Sequence, residues 1–175
     1  MSALRREAST LVAIDLQTRM MGAIDGAEAV VAEAKRLIGA AEILGVPMVF
    51  TEQNPAGLGT TLQDLGARAP LAKMHFDACA EPGFLRALDP AHTAVLTGCE
   101  AHVCVLQTAL GLLANGRRVA VVADATGSRR AANKALALDR LARAGAQIVS
   151  AEMVIFEWLE SAEHPRFRDV LRLVK

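Results

Sequence analysis

Six short apolar runs separated by segments of helical periodicity constrain this chain more than any other feature. The runs cover residues 10–15, 46–51, 71–76, 93–97, 118–123 and 147–150. Between 28 and 44, Val30, Val31, Ala34, Leu37, Ile38 and Ala41 recur at the spacing of one helix face, and Gly45 ends the pattern. Residues 81–88, 102–113, 130–144, 153–159 and 166–173 read as further helices, and 52–70 as a long loop. Regular alternation of strand and helix predicts an α/β fold with a mostly parallel sheet. The strands are nearly continuous in apolar residues, so helices are expected to cover both faces.

The expected architecture is a three-layer, Rossmann-like sandwich of six strands in the order 3-2-1-4-5-6. The 175 residues are read as one unit, 1–175, because domains usually run ~100–200 residues. Nineteen basic side chains offset nineteen acidic ones, which argues against a nucleic-acid partner. Five Phe, one Trp and no Tyr leave little for a base-stacking platform. No apolar run reaches the ~20 residues of a membrane span, and the first residues lack the apolar stretch of a secretory signal. Cys79, Cys99 and Cys104 show no C-x-x-C spacing, which fits reduced thiols and a cytoplasmic location.

In open α/β sheets, ligands bind outside the carboxyl ends of the strands. Here those ends are Asp15, Thr51-Glu52, the neighbourhood of Lys73, residues 97–104 and Asp124. The first strand runs into Asp-Leu-Gln-Thr-Arg rather than G-x-G-x-x-G, and no P-loop occurs, so no nucleotide cofactor is expected. His75, His92, His102 and His164 lack zinc-site spacing, so no metal is expected.

The sharpest local segment is Thr97-Gly-Cys-Glu-Ala-His-Val-Cys104-Val. It reads as a strand end, a flexible glycine and a helix start. A cysteine at a helix N-terminus gains thiolate character from the macrodipole, and the same N–H groups can hold an oxyanion. A packed core thiol is the equally weighted alternative. His102 is badly placed as its base, since helical neighbours at i+2 do not face each other. Asp15 is better placed, because the first strand of such a sheet lies beside the fourth. Its bland alternative is a cap or a solvated strand end. Lys73 is a charge inside an apolar stretch, and its bland alternative is an edge-strand lysine.

Asp15 in Ala-Ile-Asp-Leu-Gln, Lys73 before Met-His-Phe, and Cys104 in Gly-x-x-x-x-x-Cys-Val-x-x-Thr together resemble the Asp–Lys–Cys triad of the isochorismatase-like cysteine hydrolases. The flanks at 51–59 and 100–109 are similar to the small isochorismatase-domain branch. The resemblance implies that Cys104 attacks a carbonyl, Asp15 carries the proton, Lys73 holds the charges, and a thioester forms and is hydrolysed. It also implies a non-proline cis peptide at Cys99–Glu100, turning N–H groups toward the oxyanion with the Cys104 N–H as second donor. True isochorismatases lack the cysteine, so amide or imide chemistry is implied. Nicotinamidases carry a metal-binding Asp-x-His that is absent here.

Strand-end topology nominates Gln17, Met20, Glu52, Gln53, Leu58, His75 and His102 as walls of a small-molecule pocket. Cys79 and Cys99 are expected to be bystanders, Asp124 to cap or hydrogen-bond the adjacent turn, and Arg129-Arg130 to be a solvated helix start. The segment around Trp158 is expected to pack on the sheet or at a subunit interface, since the family is often homo-oligomeric. A catalytically silent binding or scaffold protein and a redox-sensing thiol protein are the competing functions.

Overall fold

The computed structural model describes residues 3–175. Six strands form one sheet: β1 (Ser9–Ile14), β2 (Met48–Gln53), β3 (Leu71–Lys73), β4 (Thr93–Cys99), β5 (Arg118–Gly127) and β6 (Gln147–Val149). Their order is β3-β2-β1-β4-β5-β6, as the alternation predicts, and every neighbouring pair is parallel. The helices are α1 (Thr18–Met21), α2 (Ala27–Leu44), α3 (Pro55–Leu58), α4 (Leu106–Ala114), α5 (Ala131–Arg143), α6 (Ala151–Leu159) and α7 (Phe167–Val174).

Two apolar layers flank the sheet because strand side chains alternate between its faces. Leu11, Ala13, Val95, Ala120 and Val122 pack with α2, α6 and α7. Val12, Ile14, Leu96, Val119 and Val121 pack with α4 and α5. All of these strand residues are buried, so the central strands are covered on both faces. Trp158 is fully buried in the first layer, which answers the choice left open for it.

Several boundaries differ from the sequence reading. β3 stops at Lys73 instead of Phe76, because the N–H groups of Met74 and His75 donate to the Glu81 carboxylate rather than to a strand. The helix expected at 81–88 shrinks to a 3-10 turn, Leu85–Ala87, preceded by Pro82 and a left-handed Gly83 at φ 99°. The helix expected from His102 begins as a π turn, Ala101–Val105, which continues into α4. β5 runs past Asp124 to Gly127, with its register against β4 shifted between Leu96 and Gly98. The Asp124 carboxylate meanwhile accepts the Ala151 N–H at the start of α6, distant in sequence from the adjacent turn expected as its partner.

Gly98 permits the tightest approach in the sheet. Its φ is 119°, and a Cβ there would lie 1.9 Å from the Ile14 carbonyl oxygen. This contact lets β4 run against the end of β1, where Asp15 follows.

Candidate active site

Asp15 follows the last residue of β1 with φ 52°, a left-handed conformation uncommon outside glycine. Its N–H is held by the Thr51 carbonyl of β2 at 3.1 Å. Its Oδ1 accepts from the Thr51 hydroxyl at 2.7 Å. Its Oδ2 lies 2.7 Å from Lys73 Nζ, and both side chains are wholly shielded from solvent. Apart from that ion pair, Oδ2 has no hydrogen-bond partner among the described residues.

Lys73 closes β3, two strands away from β1. Its ammonium also donates to Gln53 Oε1 at 2.6 Å and to the His75 carbonyl at 3.4 Å. Two hydrogen-bond acceptors and the Asp15 carboxylate therefore surround a charge that burial would otherwise penalise. Gln53, the last residue of β2, is itself fixed: its Nε2 donates to the Met74 carbonyl at 2.8 Å.

Cys104 comes from the π turn after β4, on the face of the sheet opposite Cys99. Its Sγ is 3.9 Å from Gln53 Oε1. The charges of Asp15 and Lys73 both bear on the thiol, in opposite directions. Burial, the largest cause, and then the Asp15 charge push the thiol up to about 12, and Lys73 offsets this only in part. This direction runs against the thiolate character expected from a helix N-terminus. Desolvation and a neighbouring carboxylate both disfavour the thiolate at this position. The peptide bond between Cys99 and Glu100 is cis, at the position the resemblance implies.

A cavity of about 490 Å³ opens over Cys104. Met20, Gln53, Leu58 and Glu100 line it, together with Ala23 and Val103. Arg19, Phe76 and Arg129 complete the wall, and the sequence reading nominates none of the three for the pocket. Arg129 is not a merely solvated helix start: its N–H and Nε bind the Glu100 carboxylate at 2.8–3.1 Å.

Gln17, Glu52, His75 and His102 do not line this cavity. Gln17 is fully buried and fastens the loop after β2. Its Oε1 accepts from the Gln53 N–H at 2.8 Å, and its Nε2 donates to the Gln53 and Gly59 carbonyls at 3.0 and 2.5 Å. Glu52 grips the same loop by accepting the N–H and hydroxyl of Thr61. The His75 ring is exposed and paired with Glu81 at 2.9 Å. His102 Nδ1 shares a hydrogen bond with the Ser128 hydroxyl at 3.0 Å. Glu81 is also the anchor of the loop carrying Phe76, and its three hydrogen bonds to Met74 and His75 hold its carboxyl down at about 2.

Cys79 and Cys99 are free thiols, each pushed up to about 12, chiefly by burial. Among the described residues, no group of three His, Cys, Asp or Glu side chains is arranged to hold a metal. No helix of the described residues is long and apolar enough to cross a membrane.

The isochorismatase domain matches residues 9–153. Isochorismatase domain-containing protein 1 of Salmo salar is 38% identical over 167 residues, covering 92% of this chain and 59% of that protein. The chain thus spans about three fifths of the salmon relative's length. Isochorismatase domain-containing protein 2A of Mus musculus is 35% identical over 174 residues, covering 97% of this chain and 84% of that protein. A solved structure, the MAR1 ribonuclease from Caenorhabditis elegans, superposes with a TM-score of 0.91 at 34% identity, covering 99% of this chain and 92% of that one. The domain match takes in β1 through the start of α6, and with it Asp15, Lys73 and Cys104, so the chain belongs to the isochorismatase family.

Proposed function

We propose that this chain is a cysteine hydrolase of small amide-like substrates, with Cys104 as nucleophile, Asp15 as proton carrier and Lys73 as charge-holding partner. The observation that carries the reading is the solvent-free Asp15–Lys73 pair, joined through Gln53 Oε1 to Cys104, which lines a cavity. A buried ion pair is costly to assemble and is weak evidence of stability alone. Set against a nucleophile in a cleft, it has the form of catalytic machinery.

The neutral thiol defines the order of events. Asp15 Oδ2 takes the thiol proton as sulfur attacks the amide carbon, so proton transfer and bond formation are coupled. The C–N bond then breaks, and the amine leaves with the proton held by Asp15. Water enters, Asp15 removes its proton, and the thioester is cleaved to the acid and the free thiol. Lys73 stays charged throughout and offsets the changing charge on Asp15. Backbone N–H groups of the turn at 100–104 are the proposed oxyanion donors. The reaction needs no metal and no organic cofactor.

The test is intact-mass analysis after incubation with a panel of small amides. The wild-type protein accumulates a hydroxylamine-labile acyl adduct on Cys104, and Cys104→Ala turns nothing over. Wild-type turnover by that variant overturns the assignment. A silent scaffold is the second reading, because a deeply buried neutral thiol is also what an inert core cysteine looks like. It expects no adduct with any member of the panel. RNA has less support as a substrate, although the nematode relative is named a ribonuclease. Acidic and basic side chains balance at nineteen each, and Phe76 is the one aromatic ring on the cavity wall. Self-association belongs to the same proposal. The α6 helix turns Trp158 inward and leaves Met153 and Phe156 exposed.

A further inference from the structure

The charges around the cavity do not cancel. Lys73 is matched by Asp15 in the buried pair. Arg129 is matched by Glu100, which it meets through its backbone N–H and Nε. The remaining charged wall residue, Arg19, pairs with no carboxylate among the described residues. Its Nη1 donates to the Ala56 and Gly57 carbonyls of α3, at 3.5 and 3.2 Å. Nε and Nη2 carry no hydrogen bond to the described residues, so one side of the guanidinium fork is open. A planar fork of this kind fits a carboxylate better than any neutral group. Met20, Ala23, Leu58, Phe76 and Val103 make the wall largely apolar, while Gln53 Nε2 is engaged by the Met74 carbonyl and the Arg129 charge is offset by Glu100.

We infer that Arg19 is a specificity residue and that the substrate class is a short amide carrying its own carboxylate. The carboxylate docks on the open side of Arg19, the apolar walls hold the linking carbons, and the amide carbon lies against Cys104. This inference rests on the nucleophile reading given above. Arg19 also ties α1 to α3, so loss of activity in an Arg19 variant would not separate recognition from loop support. Charge selectivity does.

The experiment alkylates Cys104 with iodoacetyl-β-alanine and, in parallel, with N-propyl-iodoacetamide, which is similar in size and lacks the carboxylate. The modified peptide is quantified by mass spectrometry. The rate ratio is normalised to that of a small neutral thiol, N-acetylcysteinamide. The wild-type ratio favours the carboxylate reagent by about fivefold, a modest value for a charge-assisted contact at an exposed guanidinium. It falls to about one in Arg19→Leu, is partly rescued in Arg19→Lys, and shrinks in 1 M salt. Equal ratios in wild type and Arg19→Leu overturn the carboxylate inference alone. Failure of both reagents to modify Cys104 even at pH 10, where the thiolate fraction is larger, overturns the nucleophile reading and this inference with it.

Discussion

Lys73 Nζ and Asp15 Oδ2 lie 2.7 Å apart with neither side chain reaching solvent, although their strands are separated by β2 across the sheet. Thr51 and Gln53 of that intervening strand bind one member each. Removing one charge therefore strands the other. Lys73→Met is expected to destabilise the fold by about 3–5 kcal/mol, the usual cost of breaking a buried pair. Asp15→Asn/Lys73→Met recovers most of that loss, since no uncompensated charge remains. Neither variant recovers activity, and Asp15→Asn alone lowers kcat/KM by about 10²–10⁴-fold. Urea denaturation beside turnover measurements checks both. A double variant no more stable than Lys73→Met would refute the charge argument.

The thiol makes a prediction of opposite sign for two readouts. Burial and the Asp15 charge raise Cys104 to about 12, so iodoacetamide alkylation of this residue keeps accelerating from pH 7 to pH 10 without a plateau. Asp15→Asn removes a charge that raises the thiol and leaves Lys73, which lowers it. Alkylation at pH 8 is then expected to speed up while hydrolysis collapses. A plateau near pH 8 in the wild type would mark a thiolate already formed at rest. Slower alkylation in Asp15→Asn would show that the carboxylate does not act on the thiol.

Strand order was legible in the sequence because a doubly wound sheet leaves few ways to lay parallel strands between helices. Asp15, Lys73 and Cys104 were legible as charged or reactive residues at strand ends. What escaped depends on contacts distant in sequence. Arg129 reads as a solvated helix start until Glu100, twenty-nine residues earlier, is found beside it. Asp124 looks like the end of β5, yet the strand passes it, pairing Thr126 and Gly127 with β4 after a register shift, while its carboxylate serves α6. Gln17 and Glu52 sit at strand ends and look like pocket walls, but unsatisfied N–H and C=O groups of the 53–61 loop claim them. The thiol's ionisation state could not be read from spacing, because desolvation is a property of the packed site.

Glu81 offers a test of how the cavity wall is held. Its carboxylate receives the Met74 and His75 N–H groups and the His75 ring, and Phe76 follows directly. Its folded value, about 2, lies below the ordinary 4.5. The anchoring contribution is therefore complete above about pH 4.5 and is lost as pH falls toward 2. Glu81→Gln weakens the anchor at neutral pH. Hydrogen exchange at Met74 and His75 should accelerate there, with KM rising more than kcat falls. Unchanged exchange would show that the Gln53, Lys73 and Thr108 contacts hold the loop without Glu81.

Gly98 and Gly22 separate conformational need from mere small size. At Gly98 a Cβ would stand 1.9 Å from the Ile14 carbonyl oxygen, with φ at 119° adding strain for any L side chain. The obstacle is backbone, so no rotamer change relieves it. β4 would have to move off β1, and the separation of Asp15 from the Cys104 turn would change with it. Gly22, with φ −62° and nothing within 4 Å of its added Cβ, meets neither difficulty. Gly22→Ala is expected to raise stability by about 0.4–1 kcal/mol through the unfolded chain. Gly98→Ala is expected to yield little soluble protein, or a protein with a sharply lowered Tm and no Cys104 adduct. Recovery of Gly98→Ala with a wild-type Tm and adduct yield would mean that the β1–β4 contact is looser than the geometry at Ile14 requires.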